Sequence, residues 1–432
     1  MTALDRSVRP GGTWLVAGLP VLAVPGLALL VAASAIPLGI VHTTTGWFND
    51  FHSYWLAGRL LMAGGNPYDL AALAALGRSA GLTFVVGGGY SYPVPFAIAF
   101  VPLAGLPFDV ALVLFEAACA LVVALTVGWW LEHHHAGAPA ARRLVAGLAV
   151  GAYAPVAGSL YMGQVNLLLL GLLAPGIALL DRAPVRAGLA VAGSAVVKLV
   201  PGALMLPLLL ARRWRALLGL VGGAIVLLGL GGVLAPRASA GSSALAALFE
   251  PDPYWTNQSL NGLVSRALIP SDRTAALLRG VDAGLWAAAA TVLFGVLVVL
   301  LVARRADAIR RDRSTFALAV AVTLAGAVLG APKDSFWNHV LVLPALGLVV
   351  ASVAPDLDVG RFAITDRVLL GAWFGLAIVQ GLIGPITGFA DGPLAGLRTV
   401  LGSAGVVSLA ALWLVSVRCL EARARGLRQD TV

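Results

Sequence analysis

The sequence predicts an all-α, polytopic integral membrane protein of ten to twelve transmembrane helices, with outer-face loops and juxtamembrane helices. Three observations carry this. Of the 432 residues, 59% are hydrophobic and 11% charged, where soluble domains carry roughly 25% charge. The mean hydropathy is +0.92. Apolar runs of bilayer length recur along the chain, separated by short connections rich in arginine; a spanning helix needs about 20 such residues, with a range of about 17 to 25.

The runs of full length are Trp14 to Val41, Asp109 to Leu131, Ala216 to Ala235, Ala283 to Ala303, Ser314 to Ala331, Val368 to Ile386 and Thr399 to Val417. The first is too long for a signal-peptide core and lacks a small-residue cleavage site before Asp50, so a retained anchor is expected. Leu144 to Leu160, Val165 to Leu180 and Val340 to Ala354 are shorter. Pro93 to Leu106 is short and proline-rich, and Ala187 to Ala211 is interrupted by Lys198-Leu199-Val200-Pro201. Read as re-entrant or paired half-helices, these last two leave ten full spans in a single membrane domain over residues 1-432, with outer loops 42-92 and 236-282 and a cytoplasmic tail 418-432.

Orientation follows from the basic residues. In this topology 20 of the 29 face the cytoplasm, among them Arg142, Arg143, Arg212, Arg213, Arg215 and the five between Arg304 and Arg313. Eight face outward and Lys198 stays in the membrane. That is the positive-inside bias. The net charge of +9 is therefore spread over inner connections, and no nucleic-acid role is expected. Cys119 and Cys419 lie in apolar stretches and define neither a disulfide framework nor a metal site. Only Lys198 and Lys333 are lysines.

The richest polar stretch is Asn49 to Leu70. Asp50, just past the first apolar run, is placed to stay ionised at the interface while facing a lipid-borne substrate; the plain alternative is a carboxylate that hydrates a helix end. Tyr54 to Met62 is expected to form a short amphipathic helix on the membrane surface, with Tyr54 and Trp55 at the interface. Asp69 is the second candidate carboxylate after Asp50, and it also reads as a helix N-cap after the Asn66-Pro67 turn. Lys198 interrupts an apolar run, where a charge costs about 2.5 to 3.5 kcal/mol on insertion scales, so it calls for an anion, an aqueous cavity or a carboxylate such as Glu116. Lys333, Asp334, Trp337 and His339 share an outer turn that can bind phosphate or simply be a polar connection with an interfacial Trp. Arg266 offers a planar fork of donors or is a solvated loop arginine. Gln164 and Asn166 can bond sugar hydroxyls or cap helix ends. Trp47, Tyr54, Trp55, Tyr90, Tyr92, Tyr254 and Trp255 suit sugar stacking or an interfacial belt. His133-His134-His135 reads as a flexible cytoplasmic stretch.

The succession Asp50-Phe51, Tyr54-Trp55, Ala57-Gly58-Arg59, Gly65-Asn66-Pro67-Tyr68-Asp69 and Tyr92-Pro93-Val94-Pro95-Phe96 resembles the opening of glycosyltransferase family 87. Gly163-Gln164-Val165-Asn166, Lys198-Leu199-Val200-Pro201, Asn257-Gln258-Ser259-Leu260 with Arg266, and Trp337-Asn338-His339 continue the resemblance. The chain departs from the family at Tyr92-Pro93-Val94-Pro95, where consecutive prolines are commoner, and at Asn338-His339, where some relatives have paired histidines. The resemblance implies a GT-C-class enzyme that takes a sugar from a polyprenyl phosphate at the outer face of the cytoplasmic membrane. It makes Asp50 the catalytic carboxylate. One base is enough for such a displacement, since phosphate leaves without a strong acid, whereas glycosidases need two carboxylates. Inversion at the anomeric carbon is expected.

Lys198, Arg266, His339 and Lys333 are the expected donor-phosphate contacts, and Tyr54, Gln164, Asn166 and Asn257 the sugar or acceptor contacts. The donor implied is polyprenyl-phosphate mannose and the acceptor a glycolipid or polysaccharide, with membrane lipids around the protein and no metal or cofactor. A polyprenyl-phosphate arabinofuranose donor is the nearest alternative. A flippase for a lipid-linked sugar is the rival from another class; broken helices suit it, while the one-sided polar clusters and the lack of matching halves speak against it.

Overall fold

In the computed structural model the described residues are 50–82, 89–236, 238, 250–271, 274–278, 280–383 and 395–429. The expected first span, Trp14 to Val41, lies outside them, as do Trp47, Arg237, Arg273 and Arg279. Among the described residues the chain is helical, with one isolated backbone bridge, Asn257 to Ser335, in place of any strand.

The helices run α1 (Phe51–Met62), α2 (Leu70–Ser79), α3 (Val94–Ala104), α4 (Phe108–His135), α5 (Ala140–Gly151), α6 (Ala154–Tyr161), α7 (Asn166–Ala178), α8 (Pro184–Val197), α9 (Met205–Leu210) and α10 (Trp214–Leu234) in the first half. They continue as α11 (Leu260–Leu268), α12 (Ala283–Ala303), α13 (Ala306–Arg311), α14 (Arg313–Leu329), α15 (Leu343–Val353), α16 (Ile364–Ile383), α17 (Ala395–Leu401) and α18 (Ala404–Gln429). Short 3₁₀ turns at Val200–Leu204 and Phe336–Val342 lead into α9 and α15. Five stretches among the described residues are long and apolar enough to cross a membrane, or six if the bent pair α5 and α6 is one span. α2, α3, α7, α8, α14 and the piece Val200–Leu210 are shorter apolar helices of 10 to 17 residues. A polytopic, all-helical membrane protein is thus what the chain forms.

Local sequence explains the boundaries. Asp69, Ser259, Asp282 and Asp312 cap α2, α11, α12 and α14, each accepting a first-turn N–H at 2.8 to 3.2 Å, which satisfies one of the four amides that a helix start leaves open. α14 is buried on nearly every side, from Ser314 to Leu329, and is the helix around which α12, α15 and α18 gather. α8 and α10 pack closest of all. A Cβ at Gly188 would sit 2.1 Å from the Ala216 carbonyl oxygen, and one at Gly219 would sit 2.2 Å from that of Val185. Small residues let apolar helices approach where no hydrophobic drive separates helix from lipid. A Gly219→Val variant should therefore melt well below the wild type, since the clash is with backbone and overpacking costs about 1 to 3 kcal/mol or more; a detergent thermal-shift assay reads it.

Three expectations change. The helix at residue 54 begins earlier, at Phe51, and is not a surface helix: Phe51 to Gly58 are buried. The cause is the aromatic crowd around it, in which Phe51 contacts Phe100, Phe108 and Phe115, and Tyr54 contacts Phe96 and Phe100. Trp337 is likewise buried, with a ring edge-on to Trp255, and is no interfacial residue. The three histidines are the last residues of α4 and not a loop; His133 stacks on Trp129, and His135 Nδ1 lies 3.0 Å from the Pro355 carbonyl oxygen.

That contact fixes the two ends of the bundle, because α4 starts against Phe51 and finishes against Pro355. Arginine ion pairs collect at the Pro355 end, where Arg142 pairs with Asp358 at 3.3 Å, Arg304 with Glu421 at 2.7 Å and Arg423 with Asp312 at 2.9 Å. The polar cluster described next occupies the other end.

Candidate active site

Asp50 directly precedes α1. Its N–H donates to the Met162 carbonyl at 2.9 Å, and its own carbonyl accepts from the Ser53 N–H and hydroxyl at 3.0 and 2.7 Å. The chain between α6 and α7 turns at Gly163, which has φ of +57°, a region that costs other residues about 1 to 2 kcal/mol. The turn delivers Gln164 to Asp50, and the Gln164 amide Nε2 donates to Asp50 Oδ2.

α8 ends at Lys198, where the backbone becomes extended (φ −135°, ψ 124°). The break predicted at Lys198-Leu199-Val200-Pro201 is therefore present. Lys198 Nζ donates to Gln164 Oε1 at 3.3 Å and to Asn338 Oδ1. Asn338 Nδ2 in turn donates to Asp334 Oδ1 at 2.9 Å. Asp334 Oδ2 and His339 Nε2 lie 3.3 Å apart, at an angle that makes no hydrogen bond. Glu116, the carboxylate considered as a partner for Lys198, is not among the acceptors of that ammonium. The Tyr92 ring lies beside the ammonium, 5.9 Å from Nζ to centroid, and the Tyr54 hydroxyl donates to the Tyr92 hydroxyl at 3.0 Å.

Burial pushes the Asp50 carboxyl up from its ordinary 3.8 to about 7, while the Lys198 charge pulls the other way. The hydroxyls of Tyr54 and Tyr92 are raised, first by burial and further by the Asp50 charge. Both tyrosines thus stay protonated, and Asp50 alone of these three changes state near neutral pH.

A second tier holds this row in place. Asn257 Oδ1 accepts from the Asp334 N–H at 3.1 Å and the Ser259 hydroxyl at 2.8 Å, and its Nδ2 donates to the Asp252 carbonyl at 3.1 Å. The Gln258 N–H donates to the Asp334 carbonyl, and the Phe336 N–H to the Thr256 carbonyl, both at 2.7 Å. Arg266, fully buried, sends Nη1 to the carbonyls of Asn257 and Tyr254 at 2.6 and 3.2 Å and Nε to Ser403 Oγ at 2.9 Å. Arg266→Ala should lower thermal stability, because the buried Asn257 carbonyl loses its guanidinium donor at about 1 to 3 kcal/mol. Residual transfer measured on the folded fraction separates that loss from any effect on chemistry.

The expected site residues thus sort by position. Asp50 and Lys198 each bond to Gln164, which stands between them, and His339 lies beside Asp334. Asn166, two residues beyond Gln164, is fully buried, and neither end of its amide has a hydrogen-bond partner among the described residues. Tyr54 stands one ring behind Tyr92. Asn257 and Arg266 lie in the supporting tier with their polar atoms turned to the protein, and Lys333 is half-exposed, 4.0 Å from Asp252. Asp69 serves as a helix cap. Asn338 and Asp334 are the residues that sequence reasoning did not single out as contacts. The Trp337-Asn338-His339 block was visible, but nothing in it says that a lysine 140 positions earlier would meet its middle residue.

No curated protein matches the chain, and no solved structure does. The model of glycosyltransferase family 87 matches residues 90–332. That span holds Tyr92, Gln164, Asn166, Lys198, Asn257 and Arg266, begins after Asp50 and ends just before Lys333. It covers more than half of the 432 residues, and with the helical membrane architecture it shows that this chain belongs to glycosyltransferase family 87, as a membrane glycosyltransferase.

Proposed function

We propose that the enzyme transfers mannose from a polyprenyl-phosphate mannose donor to a glycolipid or polysaccharide acceptor at the outer face of the cytoplasmic membrane, with inversion. The single observation that supports this is the row Asp50, Gln164, Lys198, gathered from three separated segments at one end of the bundle. It pairs a base of raised pKa with a cation suited to a phosphate.

In the reaction Asp50 takes the proton of the acceptor hydroxyl as that oxygen bonds to the anomeric carbon. The bond from the anomeric carbon to the phosphate oxygen breaks, and polyprenyl phosphate departs with the electron pair. Lys198 has three N–H donors, of which two are used within the protein; the third meets the phosphate and offsets the charge that develops there. His339 stands beyond Asp334 as a further phosphate contact, and the unpartnered amide of Asn166 reads a sugar hydroxyl.

The test is sugar transfer by the purified protein in liposomes, supplied with synthetic polyprenyl-phosphate mannose, the arabinofuranose analogue, or neither, over a native lipid extract. Mannosylated lipid with the first donor alone is expected. Arabinosylated product would move the assignment to the furanose donor, and movement of the lipid-linked sugar between leaflets without transfer would make the protein a flippase.

A further inference from the structure

Two neutral amides stand between the charges of this site. Gln164 donates to Asp50 at one end and accepts from Lys198 at the other; Asn338 donates to Asp334 and accepts from the same ammonium. The row therefore reads carboxylate, amide, ammonium, amide, carboxylate. An amide has one donating and one accepting end, so a carboxylate on one side and an ammonium on the other leave it a single orientation. Neither carboxylate contacts the lysine, although both lie close enough to act on its charge. We propose that Gln164 and Asn338 are positioning residues, neutral spacers that hold Lys198 between two carboxylates without letting it pair with either.

The arrangement has a chemical purpose, and this inference rests on the reading of Asp50 as the base. A carboxylate in direct contact with an ammonium is stabilised in its ionised form and loses strength as a base. An ammonium that gives its N–H groups to carboxylates has fewer for a substrate phosphate. With the amides interposed, Asp50 keeps its affinity for a proton while the site stays near charge balance. The groups that face the ammonium are Asp50 through Gln164, Asp334 through Asn338, and the Tyr92 ring; Tyr54 lies behind Tyr92 and His339 behind Asp334. If the amides merely tied loops together, removing one would lower stability without changing how Lys198 titrates.

The chain has two lysines, Lys198 and Lys333, so full-length protein labelled with ¹⁵Nζ-lysine in nanodiscs shows two side-chain resonances, assigned by Lys333→Arg. Gln164→Ala removes the spacer and lets Lys198 meet Asp50. The Lys198 titration midpoint should then rise by about one pH unit or more, the effect of an opposite charge brought close, and Asp50→Asn in the same background should erase the rise. Asn338→Ala should raise it through Asp334. Gln164→Met keeps the length without the amide and should give no rise; it also guards against a Gln164→Ala protein that does not fold. A midpoint unmoved in both alanine variants, or moved alike by Ala and Met at position 164, overturns the proposal. The resonance needs neither donor nor turnover, so a failure of the base assignment shows in the transfer assay and is told apart from a failure here.

Discussion

Asp50→Asn is expected to lower glycosyl transfer by roughly 10²- to 10⁴-fold, the usual contribution of a positioned general base, while the donor still binds. The substitution keeps the shape of the side chain, and its carbonyl oxygen can still accept from Gln164 Nε2, so the row to Lys198 stays ordered. What disappears is the ability to take a proton. Equilibrium binding of polyprenyl-phosphate mannose beside single-turnover transfer separates the two effects, and transfer at the wild-type rate would move the base elsewhere. The same substitution has a stability consequence of known sign. Asp50 has its carboxyl raised from 3.8 to about 7, so its contribution to stability is full below the ordinary value and is lost as pH rises through the folded one. The Asn variant does not titrate, and should melt above the wild type at pH 8.5, with the advantage shrinking toward pH 4. An enzyme site often sacrifices stability in this manner.

Lys198→Met carries the second large effect, a loss of about 10²- to 10³-fold in kcat/KM, comparable to removing one preorganised donor from a site of developing charge. Methionine matches the length and volume of the stem, so α8 should still end where it does. The loss should appear in donor binding as well as in the rate, which distinguishes it from Asp50→Asn. Lys198→Arg should not restore activity, because a planar fork cannot reproduce a compact ammonium seated between two amide oxygens. Measured donor affinity for the three proteins checks this, and wild-type affinity in Lys198→Met would remove the lysine from the phosphate site.

Much of the architecture was legible because lipid imposes simple rules on the chain. Apolar length and arginine placement are enough to read a polytopic helical protein, and the extended break at Lys198 follows from a proline three residues later and a charge where lipid would not accept one. The surface placement of Tyr54 and Trp55 failed for a physical reason. An aromatic residue near a helix end scores equally well at an interface or inside an aromatic core, and only the partners Phe96, Phe100, Phe108 and Phe115 decide it. Arg266 is the same lesson in charge. Its sequence neighbourhood suits an anion, yet its donors go to the carbonyls of Tyr254 and Asn257, because the loop that carries Asn257 has bare carbonyls to satisfy. Asn338 could not be read at all as a partner of Lys198, since the pair depends on α8, the 3₁₀ turn at Phe336–Val342 and the Asn257 clamp all being in place.

At the centre of this account is the ionised carboxylate of Asp50, kept off Lys198 by Gln164, which removes the acceptor's proton. The pH dependence of kcat/KM for transfer from polyprenyl-phosphate mannose, measured in liposomes buffered on both sides, tests it most directly. The account predicts an acid limb of unit slope with its midpoint near 7, following the raised carboxyl of Asp50, and no such limb in the residual activity of Asp50→Asn. A profile flat between pH 5 and 8, or a limb that survives in the Asn variant, would contradict it.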